Sequence, residues 1–137
     1  QQRLWFVDQL EGDSSQYNVP MALRLRGRLD VHALQTALDA IVARHSVLRT
    51  VFATHGGAPV QMVRDASPVP VRRLDRRGHS SADAALESLA TEEARMPFDL
   101  GQDLMLRCTL IELAEDDHAV LFTMDHIASD GWSLSVL

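Results

Sequence analysis

The run His118-Ala119-Val120-Leu121-Phe122-Thr123-Met124 is apolar at both its odd and its even positions. A strand alternates its side chains between two faces, so a strand of this kind must be covered on each side. The chain therefore has to build a sheet with other layers packed against it. Leu104, Leu106, Cys108 and Leu110 alternate on one face of a neighbouring strand, and Asp116-Asp117 reads as the hairpin turn between the two.

The layers are legible elsewhere. Asp30 is a good N-cap, and Leu34, Ala37, Leu38, Ile41 and Val42 follow at three- and four-residue steps. That stripe predicts a helix over 31–45 with one buried face. A second helix runs from a cap at Ser80 or Ser81 to about Arg95, with Leu86, Leu89 and Glu93 marking its turns and Pro97 closing it. Met21, Leu23 and Leu25 alternate with Ala22, Arg24 and Arg26, a strand with one wet face that ends at Gly27. Residues 48–54, 59–63 and 69–74 read as short strands, the first two joined through Gly56-Gly57. Residues 1–10 have helical spacing, and residues 11–15 break it. Strands mixed with two long helices give an α/β sandwich.

At 137 residues, 46% of them hydrophobic, the chain can bury one core. It starts at Gln1 in a helix-like pattern without an initiator Met and stops at Leu137 in another. The expectation is a part of a larger domain, truncated at both ends. The net charge of −6 is spread along the chain, and the only basic clusters are the Arg72-Arg73 and Arg76-Arg77 pairs beside Asp75. Nucleic acid is not expected as a partner, because a phosphate backbone needs a basic stripe. One cysteine forms no internal disulfide, and no apolar run has bilayer length, so a membrane is not expected as a partner either and a cytoplasmic setting is.

The chemistry, if any, sits in Met124-Asp125-His126-Ile127-Ala128-Ser129-Asp130-Gly131-Trp132-Ser133. His126 leaves the central strand, where a rigid scaffold can present a reactive group. Asp130 can cap a short helix whose N-terminal amides face His126, which would favour the neutral, proton-accepting imidazole. The plainer alternative is a loop histidine followed by a cap, and spacing alone leaves both open. His32, His45, His55, His79 and His118 show no metal-ligand spacing, so no metal site is expected and these residues read as surface or satisfied structural histidines. Cys108 reads as a small core residue, with Arg107 on the opposite face. Arg44, His45 and Arg49 fit the negative end of the first helix; pairing of one of these arginines with Asp130 is the functional alternative.

Three segments in order resemble the condensation domains of nonribosomal peptide synthetases. Residues 1–10 ("QQRLWFVDQL") look like the family's first core motif, Arg44 to Phe52 ("RHSVLRTVF") like the second, and "MDHIASDGWS" like the third, H-H-x-x-x-D-G; "MPFDLGQDLMLR" is similar to a further family stretch. The resemblance implies the N-terminal subdomain of a chloramphenicol acetyltransferase-like two-layer sandwich over residues 1–137, with the C-terminal half of the domain absent and the fragment inactive alone. It implies peptide-bond formation: the amine of one carrier-tethered aminoacyl group attacks the thioester of another. By position, His126 corresponds to the decisive second His, Asp130 to an organising Asp and Gly131 to the motif Gly. Arg49, or alternatively Arg44, would pair with Asp130. The Gly131 amide is the candidate oxyanion donor. No cofactor is bound directly; phosphopantetheine is carried by the partners, which are donor and acceptor peptidyl carrier domains together with an adenylation domain.

Asp125 departs from the motif, standing where the family has its first His. A buried carboxylate there needs a donor or a proton. In an extended chain its side chain points away from that of His126. Asp125, Asp130 and Ser133 also reproduce the D-x-x-x-x-D-x-x-S pattern of heterocyclization domains, although His126 and Gly131 stay as in condensation domains. The same residues leave room for an epimerization domain, a catalytically degenerate docking module or a free-acceptor acyltransferase of the same superfamily.

Overall fold

The computed structural model describes residues 14–78 and 82–128. In chain order these hold β1 (Asn18–Arg26), α1 (Val31–Arg44), β2 (Thr50–His55), β3 (Ala58–Val63), β4 (Val71–Asp75), α2 (Ala82–Arg95), β5 (Leu106–Ala114) and β6 (Asp117–Asp125), with 3-10 turns at Ser14–Tyr17 and Ser46–Arg49. The expected helix over residues 1–10, the Ser80 or Ser81 cap and the helix after Asp130 lie outside the described residues.

Four strands form one sheet in the order β1-β6-β5-β4, and β2 and β3 form a separate hairpin. β6 pairs antiparallel with β1 and β5, whereas β4 runs parallel to β5, with Val71 opposite Cys108. Parallel neighbours need a crossover, and α2 supplies it, so β4-α2-β5 is a βαβ unit. β6 is interior, as its doubly apolar pattern requires. Val120 and Met124 share one core with Cys108, Leu110 and the α1 residues Leu38 and Val42, while Ala119 and Leu121 share a second with Ile111, Leu113 and Leu89 of α2. Thus α1 and α2 cover opposite faces of the α/β structure. Burying one such Leu is worth about 1.5–3 kcal/mol.

The helix ends follow local chemistry. The Asp30 carboxylate accepts from the Ala33 amide at 3.0 Å, the expected N-cap bond. Gly56 and Gly57 both have positive φ (58° and 82°), the backbone that a two-residue hairpin loop demands. The end of α2 and the residues just after it are met from two other elements: Asn18 Nδ2 donates to the carbonyls of Ala94 and Met96, each at 2.8 Å, and the Arg107 guanidinium donates to Glu93 O at 3.2 Å and Pro97 O at 2.9 Å. Arg107 also lies 3.9 Å from the Phe98 ring centroid, and burial lowers its pKa.

Several expectations need correction. Ala37 is exposed, because α1 buries a narrower stripe centred on Leu38 and Val42. Leu23 is exposed too, since β1 is an edge strand. The β5–β6 turn is Glu115-Asp116, one residue earlier than expected, with a register shift between Glu112 and Ala114 just before it; Asp117 opens β6. The second face of β5 is buried as well, through Thr109, Ile111 and Leu113. Arg49 is not at the end of α1: that helix stops at Arg44, where the His45 amide bonds Ile41 O at 2.9 Å, and Arg49 lies in the following 3-10 turn.

Candidate functional site

β6 ends in a turn built from its own last residue. The Asp125 carbonyl accepts from the Ala128 amide at 3.0 Å, and Asp125 Oδ1 accepts from the Ile127 amide at 2.8 Å. Asp at the first position of a β-turn is favoured for this reason, since its side chain satisfies the amide two residues on. Asp125 is only 2% exposed, and the donor its burial demands is therefore the main chain of its own turn. His126 occupies the corner and is exposed. The two side chains diverge because the strand ends between them, not because both lie in extended chain.

The turn is anchored from outside. The His126 amide donates to Tyr17 O at 2.9 Å, fixing it to the 3-10 turn that precedes β1. The Asp125 amide donates to Met105 O at the long distance of 3.4 Å, and the Met105 amide donates to Leu48 O at 2.8 Å. Met105 is fully buried, so it forms a strut between the end of β6 and the turn that carries Arg49. Arg49 is itself fastened to Arg64: its carbonyl accepts from the Arg64 amide at 3.0 Å, and its guanidinium donates to the Arg64 carbonyl. The Arg49 Nε is buried with no hydrogen-bond partner among the described residues. Arg44 is exposed on the last turn of α1.

The loop before β5 holds Met105 in place. Asp99 Oδ1 accepts from the Gly101 amide and Asp103 Oδ2 from the Asp99 amide, both at 2.9 Å. A Cβ on Gly101 would stand 3.2 Å from Asp99 Oδ1, so the tight loop favours glycine there. The Phe52 amide bonds Leu100 O at 2.9 Å, tying this loop to β2. Sequence reasoning missed Tyr17, Met105 and Ile127 as supports because each acts through backbone groups, which no residue type advertises. The likeness of residues 96–107 to a family stretch was the one signal that pointed there.

Asp130 and Gly131, the remaining candidates, lie outside the described residues, as do His79 and Ser133. His32 and His55 are exposed; His118 is buried in β6, and its Nδ1 has no hydrogen-bond partner among the described residues. Among the described residues, no three His, Cys, Asp or Glu cluster as metal ligands. Cys108 is buried, and burial, reinforced by the Glu93 charge, pushes its thiol up to about 12, as expected of a core residue and unlike a nucleophile. A cleft of about 510 Å³ lies beside it, lined by Arg72, Glu93, Leu104, Arg107 and Thr109 among others. Three of its polar groups meet one another: Thr109 donates to Glu93 Oε1 at 2.8 Å, and Arg72 lies 3.3 Å from the same oxygen. Neither His126 nor Arg49 lines it.

The "Condensation domain" family model matches residues 1–137. Malpibaldin synthetase of Mortierella alpina is 46% identical over 138 residues, covering 100% of this chain and 2% of that protein. A linear gramicidin synthase of Brevibacillus parabrevis is 46% identical, covering 99% of this chain and 2% of that protein. Among solved structures, the X-domain from teicoplanin biosynthesis superposes with a TM-score of 0.85 at 35% identity, over 98% of this chain and 28% of that one. The first condensation domain of the calcium-dependent antibiotic synthetase shares the fold, with a TM-score of 0.86 at 24% identity over 98% of this chain and 33% of that one. The chain thus spans about a third or less of each of these solved relatives and a small fraction of each synthetase. With a family match from its first residue to its last, it belongs to the condensation domains of nonribosomal peptide synthetases.

Proposed function

We propose that the protein containing this chain forms peptide bonds between two carrier-tethered substrates, and that residues 1–137 are the N-terminal part of its condensation domain. The acceptor's amine nitrogen attacks the donor's thioester carbon, a C–N bond forms, and the thiol leaves. An α-ammonium has a pKa near 8, so the nitrogen must be neutral to attack and must shed a proton from the tetrahedral adduct. His126 accepts that proton. The phosphopantetheine arms belong to the substrates and arrive on peptidyl carrier domains, which an adenylation domain supplies with amino acids. Arg49 pairs with Asp130, and the Gly131 amide stabilises the oxyanion.

The observation that carries the reading is the exposed His126 at the corner of a turn whose backbone is fastened to Tyr17 and Met105. A general base works only when its position is held, and such catalysis is worth about a hundred- to ten-thousand-fold, roughly 3–5 kcal/mol. The buried, unpartnered Arg49 Nε supports the brace. Condensation between substrate-loaded carriers in the full synthetase tests the role: His126→Ala should lose activity in that range. A rate near that of the unaltered protein would remove the base.

A second reading, a docking module that forms no bond, is favoured by one comparison. The teicoplanin X-domain, 35% identical to this chain, has been solved in complex with OxyB. On that reading the unaltered synthetase forms no product at this domain yet captures a tailoring enzyme.

A further inference from the structure

The amides of residues 125, 126, 127 and 128 are all hydrogen-bonded, to Met105 O, Tyr17 O, Asp125 Oδ1 and Asp125 O. Two of those four acceptors belong to Asp125. Tyr17 and Met105 fix the entrance to the turn, whereas Ile127, 4% exposed and packed into the α1-side core, fixes its exit only if its amide is also satisfied. Water does not readily reach an amide in that position, so the carboxylate oxygen is what permits Ile127 to stay buried.

We propose that Asp125 is a positioning residue for His126, acting as the hydrogen-bond acceptor that closes the turn around it, and that neither its charge nor a proton on it is required. Among the described residues, the Arg107 guanidinium is a cation whose charge interacts with Asp125. A carboxylate serving as counter-ion there would need its charge; one serving as an acceptor is replaceable by any group with a carbonyl oxygen at the same place. Asparagine has one. The consequence for rate rests on the condensation reading above, while the consequence for the turn does not.

The experiment compares Asp125→Asn, Asp125→Ala and His126→Ala in the full synthetase, by amide hydrogen exchange of the segment spanning 125–128 and by kcat and KM for condensation of loaded carriers. Asp125→Asn should exchange within about twofold of the unaltered protein and keep its kcat and the acid limb of its pH profile. Asp125→Ala should exchange about tenfold faster or more and lose about tenfold in kcat, with KM changed less than about twofold. Equal losses in the Asn and Ala variants would show that the charge is needed and overturn the proposal; so would unchanged exchange in Asp125→Ala. Should the Ala variant fail to fold, the Asn variant decides by itself: exchange and kcat within about twofold of the unaltered protein support the acceptor role, and a loss of about tenfold or more overturns it. If His126→Ala keeps full activity, the condensation reading fails, and the exchange data still decide whether Asp125 holds the turn.

Discussion

Leu48 and Met105 meet through one backbone hydrogen bond of 2.8 Å, and that bond joins the two halves of the candidate site. Leu48 is the neighbour of Arg49, and Met105 in turn accepts from Asp125, the neighbour of His126. The guanidinium and the imidazole are thereby referred to one buried residue. Loss of packing at Met105 should disturb both at once.

Met105→Ala removes a fully buried side chain from the α1-side core and should cost about 2–5 kcal/mol in chemical denaturation, whereas Met105→Leu should cost less than about 1.5 kcal/mol. Equal, negligible costs for the two would mean that the strut carries no packing load.

Asp30→Ala should destabilise by about 0.5–2 kcal/mol through the loss of the bond to the Ala33 amide. Asp30→Ser restores an acceptor and should recover most of it. Thermal melts of the two variants check the pair, and a Ser variant no better than Ala would point to charge instead of capping.

Cys108 has a folded-state pKa pushed up from 9.0 to about 12. The folded state therefore disfavours the thiolate, and this contribution to stability is complete below about pH 9 and fades as pH rises toward about 12. Iodoacetamide at about pH 8, below either value, should leave Cys108 unmodified in the native protein and alkylate it once the protein is unfolded in guanidinium. Rapid labelling of the native state would contradict its burial.

Arg49→Ala removes a charged donor to the Arg64 carbonyl and, on the proposed reading, the partner of Asp130. A charge-assisted bond of about 1.5–3 kcal/mol corresponds to a loss of roughly ten- to a hundredfold in single-turnover condensation. Arg44→Ala, altering an exposed residue, should leave the rate within about twofold. The reverse order would assign the brace to Arg44.

Much of this architecture is legible in residue pattern because the information is local. Asp30 and the Leu38–Val42 stripe specify α1, two adjacent glycines specify the β2–β3 turn, and the doubly apolar β6 specifies an interior strand. What depends on long-range arrangement is not legible. The parallel pairing of Val71 with Cys108 follows from the path of α2, and Arg107 as a cap for α2 follows from where that helix happens to end. At the site, the motif marks His126 and singles out Asp125 as a substitution. Only the geometry supplies the latter's partner, because an amide two residues away is a target that every sequence contains.

The doubly covered β6 has one more implication. With no wet side along its length, the strand offers reactive groups to the outside only where it stops. His126, exposed immediately beyond Asp125, is where that outside begins, and Ile127 and Ala128 return the chain to the core directly after it.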